Sequence, residues 1–580
     1  MLQRLILAVV LFAPASVFAA GANVYVRHDL VSDQPGVADV TDPNLVNPWG
    51  VSESATSPFW VSNTGKGNAT LYNGSGAITP LVVTIPAGAA LPSGQGTPTG
   101  QVLNSTAAFL LANGTKASFI FSTEDGTISA WNGGAAATVL VDNSKAGAVY
   151  YGLAIGLNAA GAPLLYAPNF TTGKVDVYDG KFAATTVAGG FTDPNVPAGY
   201  GPFNIWPLGG KLYVAYAKQS NSLSGVGGSG VGYVAVFDFD GNLIKHLISG
   251  GPLNAPWGMA IAPSTFGAFG GALLVGNFGD GKINAFDVST GAALGTLQDA
   301  SGNPHVISGL WALLFGNGGS GGDRNTLYLT AGIGNLAHGL LSSLAPPAAI
   351  FSVQNGASQL PGPIAPGEVV VLSGITIGPS PISTSVIPAN GSVSAALGGA
   401  SVTFNGAAAP ILYASASQTS VLAPYGLGGF SSANVVVTYR GQTATLQVPV
   451  ALSAPGIFTL DFSGTGQAVA LNADGTVNGS TNPATAGTVI TLFATGQGPE
   501  NPPGEDGVVN DRILRTPQLP VSLTIGSQTA KVLYAGSGLG LVQAILQVEA
   551  IIPAGVTGTA PVVLTVGSAS SQPKATISVK

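Results

Sequence analysis

The sequence predicts an all-β protein: a six-bladed β-propeller followed by two immunoglobulin-like β-sandwich domains. Three observations carry that expectation. The 580-residue chain has 84 Gly and 40 Pro, yet it is 46% hydrophobic and only 7% charged. Such a composition suits many short apolar strands joined by turns, because a disordered chain would lack the apolar surface that offsets chain entropy. One strand pattern then returns six times across residues 44–344, and a different one occurs twice beyond it.

Each unit of the first pattern opens on an aromatic or Gly leading into an apolar strand. It continues in a β-rich strand ending at a polar turn and closes on a strand ending in an aromatic or Asp. Asn47-Pro48-Trp49-Gly50, Phe59-Trp60-Val61-Ser62-Asn63 and Ala69-Thr70-Leu71-Tyr72 form the first unit. The second carries Phe119-Ile120-Phe121-Ser122-Thr123-Glu124-Asp125 and Ala130-Trp131-Asn132, and the third Tyr151-Gly152, Leu165-Tyr166-Ala167-Pro168-Asn169 and Val175-Asp176-Val177-Tyr178-Asp179. Gly201-Pro202-Phe203-Asn204 opens the fourth, Ala255-Pro256-Trp257-Gly258 the fifth and Gly309-Leu310-Trp311-Ala312 the sixth. A spacing of roughly 40–60 residues fits propeller blades, since one four-stranded blade closes its core only against its neighbours. The strand Val24-Tyr25-Val26-Arg27 is expected to complete the last blade.

The propeller is therefore assigned to 23–344 and a Pro/Ala linker to 345–349. In the second pattern, Pro366-Gly367-Glu368-Val369-Val370-Val371-Leu372 matches Ala486-Gly487-Thr488-Val489-Ile490-Thr491-Leu492, and Ile411-Leu412-Tyr413-Ala414 matches Val532-Leu533-Tyr534-Ala535. Alternating strands with frequent turn signals read as sandwiches. The two copies occupy 350–451 and 452–580.

Several function classes are set aside by composition. The net charge is −7 and the 18 Lys and Arg are dispersed, so no basic stripe is present to neutralise phosphates and nucleic acid is not an expected partner. The absence of cysteine removes disulfides, thiolate metal sites and thiol nucleophiles. Residues 1–20 read as a signal peptide, with Arg4, an apolar run over 5–12 and Val17-Phe18-Ala19 at the cleavage positions. The mature chain is expected to be secreted, extracellular or periplasmic, with no transmembrane segment.

Residues 23–344 resemble a family of secreted bacterial hypothetical proteins with NHL- or YVTN-like propellers. The motifs are Leu30-Val31-Ser32-Asp33, Leu45-Val46-Asn47-Pro48-Trp49-Gly50, Thr123-Glu124-Asp125-Gly126-Thr127-Ile128 and Leu274-Val275-Gly276-Asn277-Phe278-Gly279-Asp280-Gly281. Residues 350–580 look like a paired C-terminal module similar to IPT/TIG immunoglobulin-like domains, often appended to acidobacterial secreted proteins. That resemblance rests on Gly362-Pro363-Ile364-Ala365-Pro366-Gly367, Ala454-Pro455-Gly456-Ile457-Phe458 and Ala494-Thr495-Gly496-Gln497-Gly498-Pro499. It implies a fold and supplies no catalytic residues.

Two familiar motifs are accidents of a Gly-rich chain. Gly225, Gly227 and Gly230 lack the strand-to-helix context of a dinucleotide site, and Gly318-Gly319-Ser320-Gly321-Gly322 lacks that of a nucleophile elbow. Propeller geometry is more informative. In each blade the start of the first strand and the end of the second share one face, here termed the upper face. Trp49, Asn63, Phe203, Trp257, Trp311 and His338 are expected there as a ligand site, aromatic faces beside amides suiting a polar, ring-containing ligand such as a glycan, or an extracellular protein. Glu124, Asp125, Asn169, Asn277 and Asp280 could instead hold Ca²⁺ for a hydrolase or lactonase. A structural surface or matrix role is the remaining alternative. Glu500, Glu505, Asp506 and Asp511 read as a solvated loop.

Overall fold

A computed structural model describes residues 23–91, 94–379, 382–389, 391–510 and 512–580. The predicted signal peptide lies outside the described residues. The structure is all-β, with a few short 3₁₀ turns, and no described helix is long and apolar enough to cross a membrane. It divides into two compact units that meet in sequence between Pro346 and Pro347.

In four of the six repeats the second strand is buried along its whole length, and in the fourth, Lys211–Lys218, only the two ends are exposed. Phe59–Asn63, Phe119–Thr123, Leu273–Asn277 and Leu327–Ala331 have no exposed position. An uninterrupted apolar run of this length suits a strand covered on both faces. The outermost strands alternate instead, as in Ile78–Thr84. In the first unit the strands form five four-stranded sheets, each from consecutive strands, and a sixth sheet that the N-terminus enters. In that sixth sheet Leu310–Phe315, Leu327–Ala331 and Leu340–Ala345 are followed by Val26–Ser32, antiparallel to Leu340–Ala345, and by Val40–Thr41.

The first strands of the six sheets are Pro48–Ser52, Pro98–Leu103, Ala154–Leu157, Tyr200–Leu208, Pro256–Ile261 and Leu310–Phe315. Each touches the next, and the last touches the first. Glycine is what permits this approach: a Cβ on Gly50 would collide with the Thr99 carbonyl, and one on Gly258 with the Trp311 carbonyl. Apolar clusters fill the spaces between successive sheets, for instance Trp60, Leu71, Phe119 and Phe121 between the first and second.

In the second unit the earlier copy forms two sheets around one core containing Val370, Leu372, Phe404, Val421 and Val435. One sheet holds Ala349–Asn355, Val369–Ile375 and Gln418–Leu422, the other Ala400–Phe404, Ser432–Tyr439 and Gln442–Pro449. The later copy departs from two separate sheets. Its strands form one ten-stranded sheet curled around Ile490, Leu492, Leu523, Leu546 and Leu564. The ten-residue strand Gln528–Ser537 is the cause: its start pairs with Val521–Ile525 and the rest, across a register shift at Val532/Tyr534, with Leu546–Ile551. Such an irregularity bends a strand and lets it serve both layers.

The two copies share a buried seam. Val369, Leu412 and Leu422 pack with Phe458, Phe493 and Val542. Polar bonds cross it as well: the Val369 N–H donates to Thr495 Oγ1 at 2.8 Å, and the Tyr425 hydroxyl to Glu500 Oε2 at 3.0 Å. Glu368 is fully buried there, and its oxygens accept the Ala365 N–H and Asn355 Nδ2.

Candidate functional site

Register brings the upper-face positions together within each sheet. Pro48 lies opposite Asn63, Pro98 opposite Thr123, Tyr150 opposite Asn169, Pro256 opposite Asn277 and Leu310 opposite Ala331. The expected aromatic residues do converge, but not as an open surface. Trp49, Phe203 and Trp311 are 0% exposed and Trp257 is 1%. Trp49 stacks on Trp311 with ring centroids 3.4 Å apart, Trp257 meets both edge-on, and Phe203 lies 6.1 Å from Trp311. The physical reason is the close approach of the first strands, which leaves a centre narrow enough for these side chains to fill. Trp257 Nε1 donates to the Tyr151 carbonyl and Trp311 Nε1 to Asn47 Oδ1, bonds that hold the indoles within the core.

The polar positions are committed to local bonds. Asn63, fully buried, donates to Asn68 Oδ1 and Thr70 Oγ1, and Asn169 to Asp176 Oδ2. Asn277 donates to the Pro252 carbonyl and to Asp280 Oδ1. Asp125 accepts the Gly88 N–H. Asn63 and Asn169 pin their own turns, whereas Asp125 and Asn277 tie theirs to neighbouring segments, and among the described residues no group of three or more His, Asp or Glu side chains is placed to hold a metal ion. His338 Nδ1 bonds Asp33 Oδ2 at 2.8 Å while the Gly339 N–H donates to Asp33 Oδ1, so this histidine helps fasten the N-terminal segment to the sixth sheet.

Glu124 differs from its neighbours. No hydrogen-bond partner for its carboxyl is found among the described residues, and burial, aided by the adjacent Asp125 charge, pushes it up to about 7. It lies close enough to Tyr151, which packs on Trp49, to raise that phenol further. In the C-terminal loop, Glu505 pairs with Arg515 at 2.6 Å, Asp506 Oδ1 accepts the Tyr425 N–H, and Glu500 is buried against Tyr425 and Gln497. Asp511 lies outside the described residues.

A hollow of about 490 Å³ does open on the upper face, over the aromatic centre and between loops of the fourth, fifth and sixth units. Phe278 forms its apolar wall: one ring face stacks on Trp311 at 4.3 Å, and the residue is only half-buried. Asn254, Ser308 and Asn335 contribute polar groups, and five glycines expose backbone. Asn254 Oδ1 accepts the Gly228 N–H at 2.6 Å, which fixes the amide and leaves its nitrogen without a partner among the described residues. No charged side chain lines the hollow. At its rim Asn335 and Leu336 adopt consecutive left-handed conformations, φ 56° and 69°. A leucine there is uncommon, and strain of this kind gathers at ligand sites.

The hollow is lined from loops that adjoin several of the positions expected from the sequence. Asn254 lies just before Ala255-Pro256-Trp257-Gly258, Phe278 just after Asn277, and Asn335 just before His338. The available signal was Phe278 itself, a large aromatic inside the turn Gly276-Asn277-Phe278-Gly279-Asp280-Gly281, where a turn alone asks only for small or polar residues.

No family model matches the chain. Two proteins of Acanthamoeba polyphaga mimivirus are similar to it: uncharacterized protein R648, 32% identical over 54% of this chain and 78% of its own length, and uncharacterized protein L690, 31% identical over 54% and 84%. The expected kinship with secreted bacterial propeller proteins and an acidobacterial C-terminal module is therefore corrected. Among solved structures, a glucose dehydrogenase is 13% identical with a TM-score of 0.34, covering 55% of this chain and 99% of its own. Penicillium chrysogenum alpha-L-arabinanase complexed with arabinobiose is 12% identical with a TM-score of 0.35, covering 55% and 97%.

Proposed function

The chain belongs to the family that includes the mimivirus proteins R648 and L690, and we propose that it is an exported binding protein whose first unit is a six-bladed propeller holding a neutral polar ligand, a glycan, in the upper-face hollow. The propeller reading is supported by the six sheets, by the closed succession of contacts among their first strands, and by the N-terminal strand as fourth member of the last sheet. The two facing sheets of the earlier copy support an immunoglobulin-like domain there, and in this reading the second unit serves as a spacer.

The observation that carries the ligand reading is the wall of the hollow. A half-exposed Phe278 ring backed by Trp311 offers a flat apolar face, while Asn254, Ser308, Asn335 and open backbone supply donors and acceptors without charge. Sugars present an apolar ring face and a hydroxyl rim, and that combination matches. The test is an array of immobilised neutral oligosaccharides probed with the full chain and with Phe278→Ala. Binding that falls at least about tenfold in the variant, as expected for loss of a stacking contact near 1.4 kcal/mol, supports the reading; a chain that retains no oligosaccharide overturns it.

A hydrolytic use of the same face is favoured by one observation, the partnerless Glu124 carboxyl held up to about 7 by burial, a value suited to general acid–base chemistry near neutrality. Its test is ester and lactone turnover, with and without added Ca²⁺. Turnover that Glu124→Gln abolishes supports it, and turnover unchanged in that variant counts against it.

A further inference from the structure

The third sheet differs from its neighbours at its outer edge. Its third strand, Lys174–Asp179, is paired along its full length on the inner side with Pro163–Asn169. On the outer side the strand Ala184–Thr185 covers only Val177 and Tyr178. In the first and fourth sheets the outer strand covers all five residues of the third. Where Ala184–Thr185 ends, a hollow of about 470 Å³ takes its place, walled by Val175, Asp176, Thr186, Val187 and Phe191.

The direction of the free backbone groups follows from the hairpin. The Asp179 N–H donates outward to the Ala183 carbonyl, so Val177 and Val175, two and four residues away, direct their N–H and C=O to the same side. The inner side agrees, because Val175 lies opposite Pro168, which has no N–H to give. Val177 finds Thr185. Val175 has no backbone partner on its outer side among the described residues.

From this edge we infer that two copies of the chain associate through it, strand against strand, about a two-fold axis at Val175. The edge is self-complementary. Antiparallel pairing centred on Val175 lets the two valines exchange both main-chain hydrogen bonds, and it sets Lys174 of each copy opposite Asp176 of the other. Lys174 and Asp176 share one face of the strand, since side chains alternate. Cross-strand pairs of opposite charge stabilise a sheet and like pairs oppose it. Asp176 is ready for that contact: Tyr150 and Asn169 hold its Oδ2, and its Oδ1 has no partner among the described residues. Lys174 is exposed and forms no ion pair among the described residues. The turn at 170–173 leads from Lys174 back to the inner strand and does not cross the outer edge.

A contact of so few residues is small by the standard of permanent dimers, so the association is weak, concentration-dependent and weakened by salt. The test is sedimentation of the full chain over a range reaching about 1 mM, the regime of weak contacts. The wild type is expected to shift from monomer toward dimer as concentration rises, less so at high salt. Lys174→Glu, which places like charges opposite each other twice, and Val175→Pro, which removes the N–H, are expected to associate at least about tenfold more weakly. Lys181→Glu, in the next turn and outside the edge, is the control and should behave as wild type. A wild type that stays monomeric throughout overturns the inference. So does a dimer undiminished in Lys174→Glu, which would place the contact elsewhere, whatever Val175→Pro does to folding.

Discussion

Trp311 and Phe278 are neighbours in one stack with opposite duties. Trp311 is fully buried between Trp49 and Phe278 and bonds Asn47, whereas Phe278 covers it and faces the hollow. Trp311→Ala is therefore expected to lower stability by about 3–5 kcal/mol, read from the denaturant midpoint. Phe278→Ala should cost well under half of that while removing the apolar wall of the hollow. Glu368 gives a second expectation. Burial raises its carboxyl from 4.5 to about 8, against the opposing pull of the Ala365 N–H and Asn355 Nδ2. A carboxyl raised by folding binds its proton more tightly in the native state, so its contribution is intact below about 4.5 and is lost as pH climbs toward 8. The melting temperature of the full chain should fall across that window, by a loss on the order of a few kcal/mol, and Glu368→Gln should flatten the fall.

Among the elements, the strand Val26–Ser32 bears most on the first unit, because it joins the N-terminus to the sixth sheet. Asp33 secures it by accepting both His338 Nδ1 and the Gly339 N–H, and Ser32 Oγ adds a bond to the Gly339 carbonyl. Asp33→Ala should cost about 1–3 kcal/mol and speed hydrogen exchange selectively in Val26–Ser32 and Leu340–Ala345. Protection left unchanged there would contradict the clamp. The repeated second strands were legible in the sequence because burial on both faces demands unbroken apolar runs such as Phe59-Trp60-Val61 and Leu274-Val275. The burial of Trp49 and Trp257 was not. A Trp beside a Gly reads alike whether the Gly serves a turn or, as at Gly50 and Gly258, a close approach of strands. The open edge at Val175 was hidden for a related reason, since only the path of 186–191, which leaves the third sheet to bond Asp240 and Gly241, uncovers it.

For the whole molecule, two kinds of β-architecture follow one another along the chain. The second unit joins its two copies through an apolar seam crossed by the Tyr425–Glu500 and Val369–Thr495 hydrogen bonds. The first unit brings its N-terminal strand into its sixth sheet and fills its centre with aromatic side chains. The all-β character was readable because the strand patterns repeat, whereas the hollow was not, because Asn254, Phe278 and Asn335 come from separate loops that only the folded arrangement assembles. The proposed place of the ligand is this hollow. Hydrogen exchange of the full chain with and without a saturating neutral oligosaccharide tests it most directly. Protection gained in the segments around Asn254, Phe278 and Asn335, with Phe278→Ala abolishing the gain, is the predicted result; protection confined to the second unit, or none in these three loops, would contradict it.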